Sequence, residues 1–202
     1  MSINVDFIFD FGSPNAYLVH QVIPAFEARS GASVTYKPCL LGGIFRSTGN
    51  QPPWQAFADV QAKLDYDMME MQRFITLHKL TKFKMNPHFP VNTLLLMRGA
   101  VTADNQGRLK EYVDAGTRFM WEDGLKMDDP EVYAQAFSQA GFDGNQLLAS
   151  TQDDAVKAEL MANTQAAVDR GAFGIPTFFL GDDMFFGKER LGQLEDAIKA
   201  LS

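Results

Sequence analysis

The segment from Phe7 to Tyr17 constrains this chain more than any other. Ile3, Val5, Phe7, Phe9 and Phe11 recur at every second position, the period of a strand, and aromatic and β-branched side chains favour that conformation. Gly12 then permits a sharp bend. Ser13 and Pro14 follow in the order of a helix start. A serine oxygen takes up one of the unpaired N–H groups, and a proline at the first helical position gives up an N–H that has no partner there. The spacing changes at once to that of a helix, with Tyr17, Leu18, Val22, Ile23 and Phe26 on a core face, Pro24 expected to kink it and Gly31 expected to end it. A hydroxyl is thereby delivered to the end of a strand and the mouth of a helix, where free backbone N–H groups favour an anion. Taken alone, this is also what an ordinary helix cap looks like.

Further along, Ser33–Lys37, with Val34 and Tyr36 on one side, reads as a second strand, parallel to the first because a helix separates them. Cys39 reads as a small buried hydrophobe. Leu40–Asn50 reads as a glycine-punctuated connector leaving that strand. Trp54, Phe57, Val60, Leu64, Met68, Met71 and Ile75 are spaced by three or four and predict an amphipathic helix of about six turns with those residues in the core. Residues 82–92, with two prolines and two asparagines, form a constrained loop. Helices are expected over 93–103 and 109–121, from Asp129–Pro130 to Gly141, after Asp143, and over 155–170. Gly174–Ile175–Pro176–Thr177 then opens a two-strand hairpin, and Leu191, Leu194, Ile198 and Leu201 mark a closing amphipathic helix. The order outlines an α/β fold: a βαβ…αββα domain made of residues 1–53 and 154–202, with an all-helical insertion over 54–153 and a cleft between them.

Several function classes drop out. The net charge is −7 and no Lys/Arg cluster is present, which argues against nucleic acid as a partner. No apolar run approaches the length of a bilayer span, so no membrane role is expected. A chain that opens on a strand rather than on a basic-then-apolar leader is expected in the cytoplasm. One cysteine makes no internal disulfide, and His20, His78 and His88 are scattered without metal-ligand spacing, so no metal is expected.

Two distant motifs gain meaning together. Ser13–Pro14–Asn15–Ala16 resembles the Cys-Pro-x-Cys of DsbA-type disulfide oxidoreductases, with serine for the nucleophilic cysteine and alanine for the resolving one. Ile175–Pro176 resembles the cis-proline site that faces that turn in thioredoxin-like folds. With Asp10–Phe11 before Ser13–Pro14, Leu40–Asn50, and Gly174–Phe178 in this order, the chain resembles 2-hydroxychromene-2-carboxylate isomerases, glutathione-dependent relatives of kappa-class glutathione transferases.

The resemblance implies a thioredoxin-like domain with a helical insertion, glutathione as cofactor, and Ser13 as the catalytic hydroxyl that stabilises the glutathione thiolate. It implies that Asn50, the backbone of Ile175 beside Pro176, and the turn Gly187–Lys188–Glu189 hold the tripeptide. That turn departs from the family pattern, in which a small polar residue and an aspartate precede arginine. It further implies a homodimer and the interconversion of 2-hydroxychromene-2-carboxylate with trans-o-hydroxybenzylidenepyruvate, a step in the breakdown of aromatic compounds. An aromatic acid needs an apolar slot and a cationic or amide contact, for which Arg46, Trp54, Asn86, Phe89 and Asn92 are the candidates. Two other readings stand beside this one: a kappa-like glutathione transferase or peroxidase, and a non-catalytic thioredoxin-like binding protein in which Ser13 only caps its helix.

Overall fold

A computed structural model describes residues 3–201. Strand β1 (Asn4–Phe9) leads into helix α1 (Pro14–Ser30) and back to β2 (Ser33–Pro38), which lies parallel to β1. The chain then runs through α2 (Leu41–Thr48), α3 (Pro53–Ala56), α4 (Gln61–His78), α5 (Leu94–Asn105), α6 (Leu109–Trp121), α7 (Pro130–Gln139), α8 (Gly144–Ser150) and α9 (Asp154–Asp169). It returns to the sheet as the hairpin β3 (Thr177–Leu180) and β4 (Asp183–Phe186) and closes with α10 (Leu191–Ala200). The strand order is β2-β1-β3-β4, with β3 antiparallel to both of its neighbours.

β1 is a central strand. Phe7 sits opposite Tyr36 on one side and Phe178 on the other. The Phe7 ring stacks on Phe178 at 5.0 Å and meets Tyr36 edge-on at 5.0 Å. Val5, Phe7, Ile8 and Phe9 are all buried, so both faces of this strand are covered, as in sheets with helices on each side. Phe11 falls beyond the strand, in the turn that follows.

Local signals explain several helix ends. Ser13 accepts from the Ala16 N–H to start α1, and Gly31 ends it in the left-handed region. Pro24 sits inside α1 without ending it. Asp129 and Asp143 cap α7 and α8 through their carboxylates. The helical block packs around Tyr112, whose ring stacks on Phe137 at 4.3 Å. Gly99 lets α5 reach this cluster, for a Cβ there would lie 2.0 Å from the Tyr133 hydroxyl.

Four expectations need correction. Leu40–Asn50 holds helix α2 (Leu41–Thr48) rather than a connector; Gly43 lets it lie against α9, since a Cβ there would come within 3.0 Å of Thr164 Cγ2. The single helix expected over 54–75 is two helices, α3 and α4, separated by a turn over residues 57–60. Hydrogen bonds Ala58 N–H to Gln55 and Val60 N–H to Phe57 close that turn, and a turn of this kind keeps the same three-residue spacing as a helix. The expected core face of this segment also points largely outward: Met71 is buried, whereas Trp54, Phe57, Val60 and Met68 are exposed. In α10, Leu194 and Ile198 are buried but Leu201 is exposed. None of the described helices is long and apolar enough to cross a membrane.

Candidate active site

The turn after β1 carries Ser13 at the first end of α1, in extended conformation and buried. Its hydroxyl donates to the carbonyl of Ile175, 162 residues away, at 3.1 Å, while its oxygen accepts from the Ala16 N–H at 3.2 Å. The Ile175–Pro176 peptide is cis. The Pro176 carbonyl accepts from the Gly187 N–H at 2.9 Å, which seats the turn Lys188–Arg190 beside this loop.

Ser13 is held from several directions. Its N–H donates to the Asp10 carbonyl at 3.2 Å. The Asp10 carboxylate accepts from the Gly12 N–H at 2.8 Å and, with its other oxygen, from the Leu41 N–H at 2.8 Å. The indole N–H of Trp121, at the end of α6, donates to the Phe11 carbonyl at 2.8 Å. Asp10 is fully buried, and burial raises its pKa against the lowering effect of the Gly12 and Leu41 N–H groups and the Thr93 hydroxyl.

An aromatic cluster lies beyond this turn, with Tyr17 and Trp121 buried and Trp54 exposed. Tyr17, one turn beyond Ser13 on α1, lies 5.7 Å from the Phe83 ring, and Phe83 lies 6.0 Å from Trp121. Phe89 lies 6.0 Å from Trp121, and Trp54 meets Phe89 edge-on at 5.0 Å. The Tyr17 hydroxyl donates to Glu122 at 3.1 Å; burial first, then the Glu122 charge, lifts its pKa above the ordinary phenol range.

The loop bearing Phe89 is fastened by Asn86. This side chain is buried; its amide donates to the Met120 and Leu125 carbonyls at 2.9 Å each and accepts from the His88 N–H at 2.8 Å. Asn92 is likewise engaged, accepting from the Leu94 N–H at 3.0 Å at the start of α5. The expectation that Asn86 faces a ligand is therefore revised: its bonds hold the loop that carries Phe89, whereas Asn92 is exposed and stays among the candidates.

The remaining candidates divide by location. Asn50, just past α2, donates from its amide to the Phe173 carbonyl at 2.8 Å, which ties it to the loop leading to Ile175. Lys188 is buried, pairs with the Glu189 carboxylate, and lies 5.9 Å from the Phe74 ring. Arg46 is exposed on the last turn of α2. Cys39 is fully buried and donates to the Asn163 carbonyl at 3.4 Å; burial, with a smaller contribution from the Asp10 charge, pushes its thiol up to about 12. It is inert as a nucleophile.

Sequence reasoning passed over Asp10, Trp121, Tyr17 and Asn15 as parts of the site. Asp10 carried a signal, a carboxylate between two phenylalanines at a strand end. Trp121 carried none, since only the fold brings α6 to Phe11. Asn15, in the first turn of α1, keeps a buried side-chain oxygen without a hydrogen-bond partner.

A four-stranded sheet, a helix start facing a cis-proline loop, and a helical block between β2 and β3 define a thioredoxin-like protein of the DsbA type. The family model described as DSBA-like thioredoxin domain matches residues 4–199, and the chain belongs to that family. Within it, the chain is 30% identical to 2-hydroxychromene-2-carboxylate isomerase of Pseudomonas sp. (strain C18), over 96% of this chain and 89% of that one. A solved structure of 2-hydroxychromene-2-carboxylate isomerase superimposes with a TM-score of 0.83 at 28% identity, covering 98% of this chain and 96% of that one. Glutathione S-transferase kappa 1 of Rattus norvegicus is 26% identical over 93% of this chain and 87% of its own length. The chain thus stands among the 2-hydroxychromene-2-carboxylate isomerases of the DsbA-like family, with kappa-class glutathione transferases as further relatives.

Proposed function

We propose that this chain is a glutathione-dependent isomerase that interconverts 2-hydroxychromene-2-carboxylate and trans-o-hydroxybenzylidenepyruvate, with Ser13 steadying the glutathione thiolate. The observation that carries this reading is the buried Ser13 hydroxyl within hydrogen-bond distance of Ile175, at the mouth of a 17-residue helix. A thioredoxin-like fold places a sulfur at such a turn, yet here the turn has a hydroxyl and the one cysteine is buried and neutral. A hydroxyl at a helix N-terminus is a weak nucleophile without a base but a good donor to a bound thiolate. The isomerase names of the relatives support the reaction class.

The residues fit such a ligand. Asn15 offers an unpartnered buried oxygen beside Ser13, and Ile175 offers an exchangeable backbone acceptor. In this reading Ile175, beside Pro176, pairs with the tripeptide backbone as an added strand would. Asn50, Gly187, Lys188 and Glu189 hold its remaining length, with Glu189 accepting from the terminal ammonium. The chemistry glutathione supplies when bound is a nucleophilic sulfur that adds reversibly to the conjugated double bond, permits rotation about it, and leaves unchanged. Ser13 and the α1 dipole keep that sulfur ionised near neutral pH. Trp54 and Phe89 enclose the aromatic ring, and Arg46 faces the acid. The working form in this reading is a homodimer, as the resemblance implies, in the cytoplasm, where glutathione is abundant.

The test is product analysis. The purified chain should convert the chromene acid only with glutathione present, and should be retained on immobilised glutathione. Retention without isomerisation, but with turnover of a standard electrophile or a hydroperoxide, would assign it instead to transferase or peroxidase chemistry. No retention would leave a thioredoxin-like binding protein in which Ser13 is a cap.

A further inference from the structure

Asp10 is fully buried, and the proposed chemistry leaves it without a task. Its three donors come from three separate segments. The Gly12 N–H belongs to the Ser13 turn, the Leu41 N–H is the first of α2, and the Thr93 hydroxyl stands at the start of α5. The two backbone donors sit on different oxygens, each at 2.8 Å. α2 ends beside the Asn50 that reaches Phe173, and Thr93 closes the loop that carries Phe89. Gly12 is pressed into the same knot, since a Cβ there would lie 3.2 Å from Thr93 Cγ2 and 3.4 Å from the Asp10 carboxylate.

We propose that Asp10 is a positioning residue for Ser13, its ionised carboxylate holding the Ser13 turn, the α2 wall and the Phe89 loop in one register. The proposal rests on Ser13 being the working hydroxyl of the cleft. Its physical basis is valence. An ionised carboxylate accepts at both oxygens, whereas a protonated one presents a hydrogen at one of them, and the N–H facing that oxygen loses its acceptor. Among the described residues no cation pairs with Asp10. Its neighbours are the neutral donors of Gly12, Leu41 and Thr93, and, from the end of β2, the Cys39 thiol, which stays protonated. Burial outweighs the three hydrogen bonds and moves the titration upward, so the knot is intact above that titration and loosens as pH falls through it.

The experiment follows the backbone amides of Gly12, Ser13 and Leu41 and the Asp10 carboxyl carbon by NMR against pH, in the full chain without ligand. Gly12 and Leu41 should shift together through the transition of the Asp10 carboxyl, with Ser13 following. In Asp10→Asn that transition should vanish while the melting temperature stays within about 4 °C of wild type, since loss of a buried charge offsets loss of an acceptor. Glutathione should still be retained, but turnover should fall roughly ten- to a hundredfold, as expected when a reacting group is misplaced by a fraction of a bond length. Separate transitions at Gly12 and Leu41, or an Asp10→Asn chain with wild-type turnover and pH profile, would overturn the assignment. Should Asp10→Asn fail to fold, the wild-type titration decides alone. A wild-type chain that shows the joint transition yet does not retain glutathione overturns the function proposed above and leaves the Asp10 knot standing.

Discussion

Replacing Ser13 by alanine removes one oxygen with two buried contacts, the Ala16 N–H at 3.2 Å and the Ile175 carbonyl at 3.1 Å. Loss of the cap costs about 1 kcal/mol. Loss of the hydrogen bond to Ile175 costs about 1 kcal/mol more. The sum of about 2 kcal/mol lowers the melting temperature by roughly 4–8 °C in a chain of this size. Ser13→Gly loses the same hydroxyl but keeps most of the capping stability, so it separates the two roles. The hydroxyl has one hydrogen, which rests on the Ile175 carbonyl in the ligand-free chain. To serve a thiolate it must turn to the sulfur, and the backbone of the bound tripeptide then satisfies Ile175. A charge-assisted hydrogen bond contributes about 1.5–3 kcal/mol, equivalent to about one to two pKa units on the bound thiol. Both variants should hold glutathione, titrate its thiol about one to two units higher, and lose about ten- to a hundredfold of activity near neutral pH, with partial recovery at higher pH. Ultraviolet absorbance of the bound thiolate against pH, beside thermal melts of wild type, Ser13→Ala and Ser13→Gly, measures both quantities. Superimposable titrations with a lowered melting temperature would mean that Ser13 caps a helix and does no chemistry.

Cys39, with its thiol pushed up to about 12, should resist alkylation in the native chain and react only after unfolding; rapid native alkylation would contradict its burial. Asn86→Ala leaves the Met120 and Leu125 carbonyls without their donor and should cost about 2–4 kcal/mol in urea unfolding, whereas a loss below about 1 kcal/mol would return Asn86 to the pocket side of the loop. The Asp114 carboxyl is held below its ordinary value of 3.8, first by the His20 hydrogen bond and then by Lys110. A depressed carboxylate contributes stability that is complete above 3.8 and lost as pH falls through its folded value. His20→Gln should therefore raise the Asp114 titration seen by NMR, and its stability deficit should shrink as pH falls below that range; an unmoved Asp114 would remove His20 as the cause.

The frame of the fold was legible because local and global signals agree there. Gly12, Ser13 and Pro14 specify a turn and a helix start, and Asp129 and Asp143 do the same for α7 and α8. The Leu40–Asn50 segment was not legible because Gly43, which reads as loop punctuation, serves close packing of α2 on α9, and Gly49 ends the helix in the left-handed region. The 54–75 segment misled for a different reason. Three-residue spacing passes unchanged through the turn at 57–60, and apolar spacing cannot say whether a neighbour covers the stripe, which here is mostly exposed.

The candidate site divides along the same line. Ser13 and the Ile175–Pro176 pair each announce themselves by local chemistry, but their meeting depends on β3 docking beside β1 with Ile8 opposite Thr177. That register brings the loop before Thr177 to the turn after Phe9. The third partner is invisible at the level of residues. Trp121 reads as the last apolar position of an ordinary amphipathic helix, yet its buried ring joins Phe83 and Phe89 and its N–H fixes the Phe11 carbonyl within the Ser13 turn. A single side chain thus supports both the Phe83 and Phe89 rings and the turn that holds the hydroxyl. Trp121→Phe separates the two contributions: it keeps a ring against Phe83 and Phe89 but leaves the Phe11 carbonyl without its donor. If the turn depends on that hydrogen bond, worth about 1 kcal/mol in a buried setting, the variant should bind an aromatic acid nearly as well as wild type while its bound thiol titrates higher. Equal loss of acid binding and an unchanged thiol titration would place Trp121 in the slot alone.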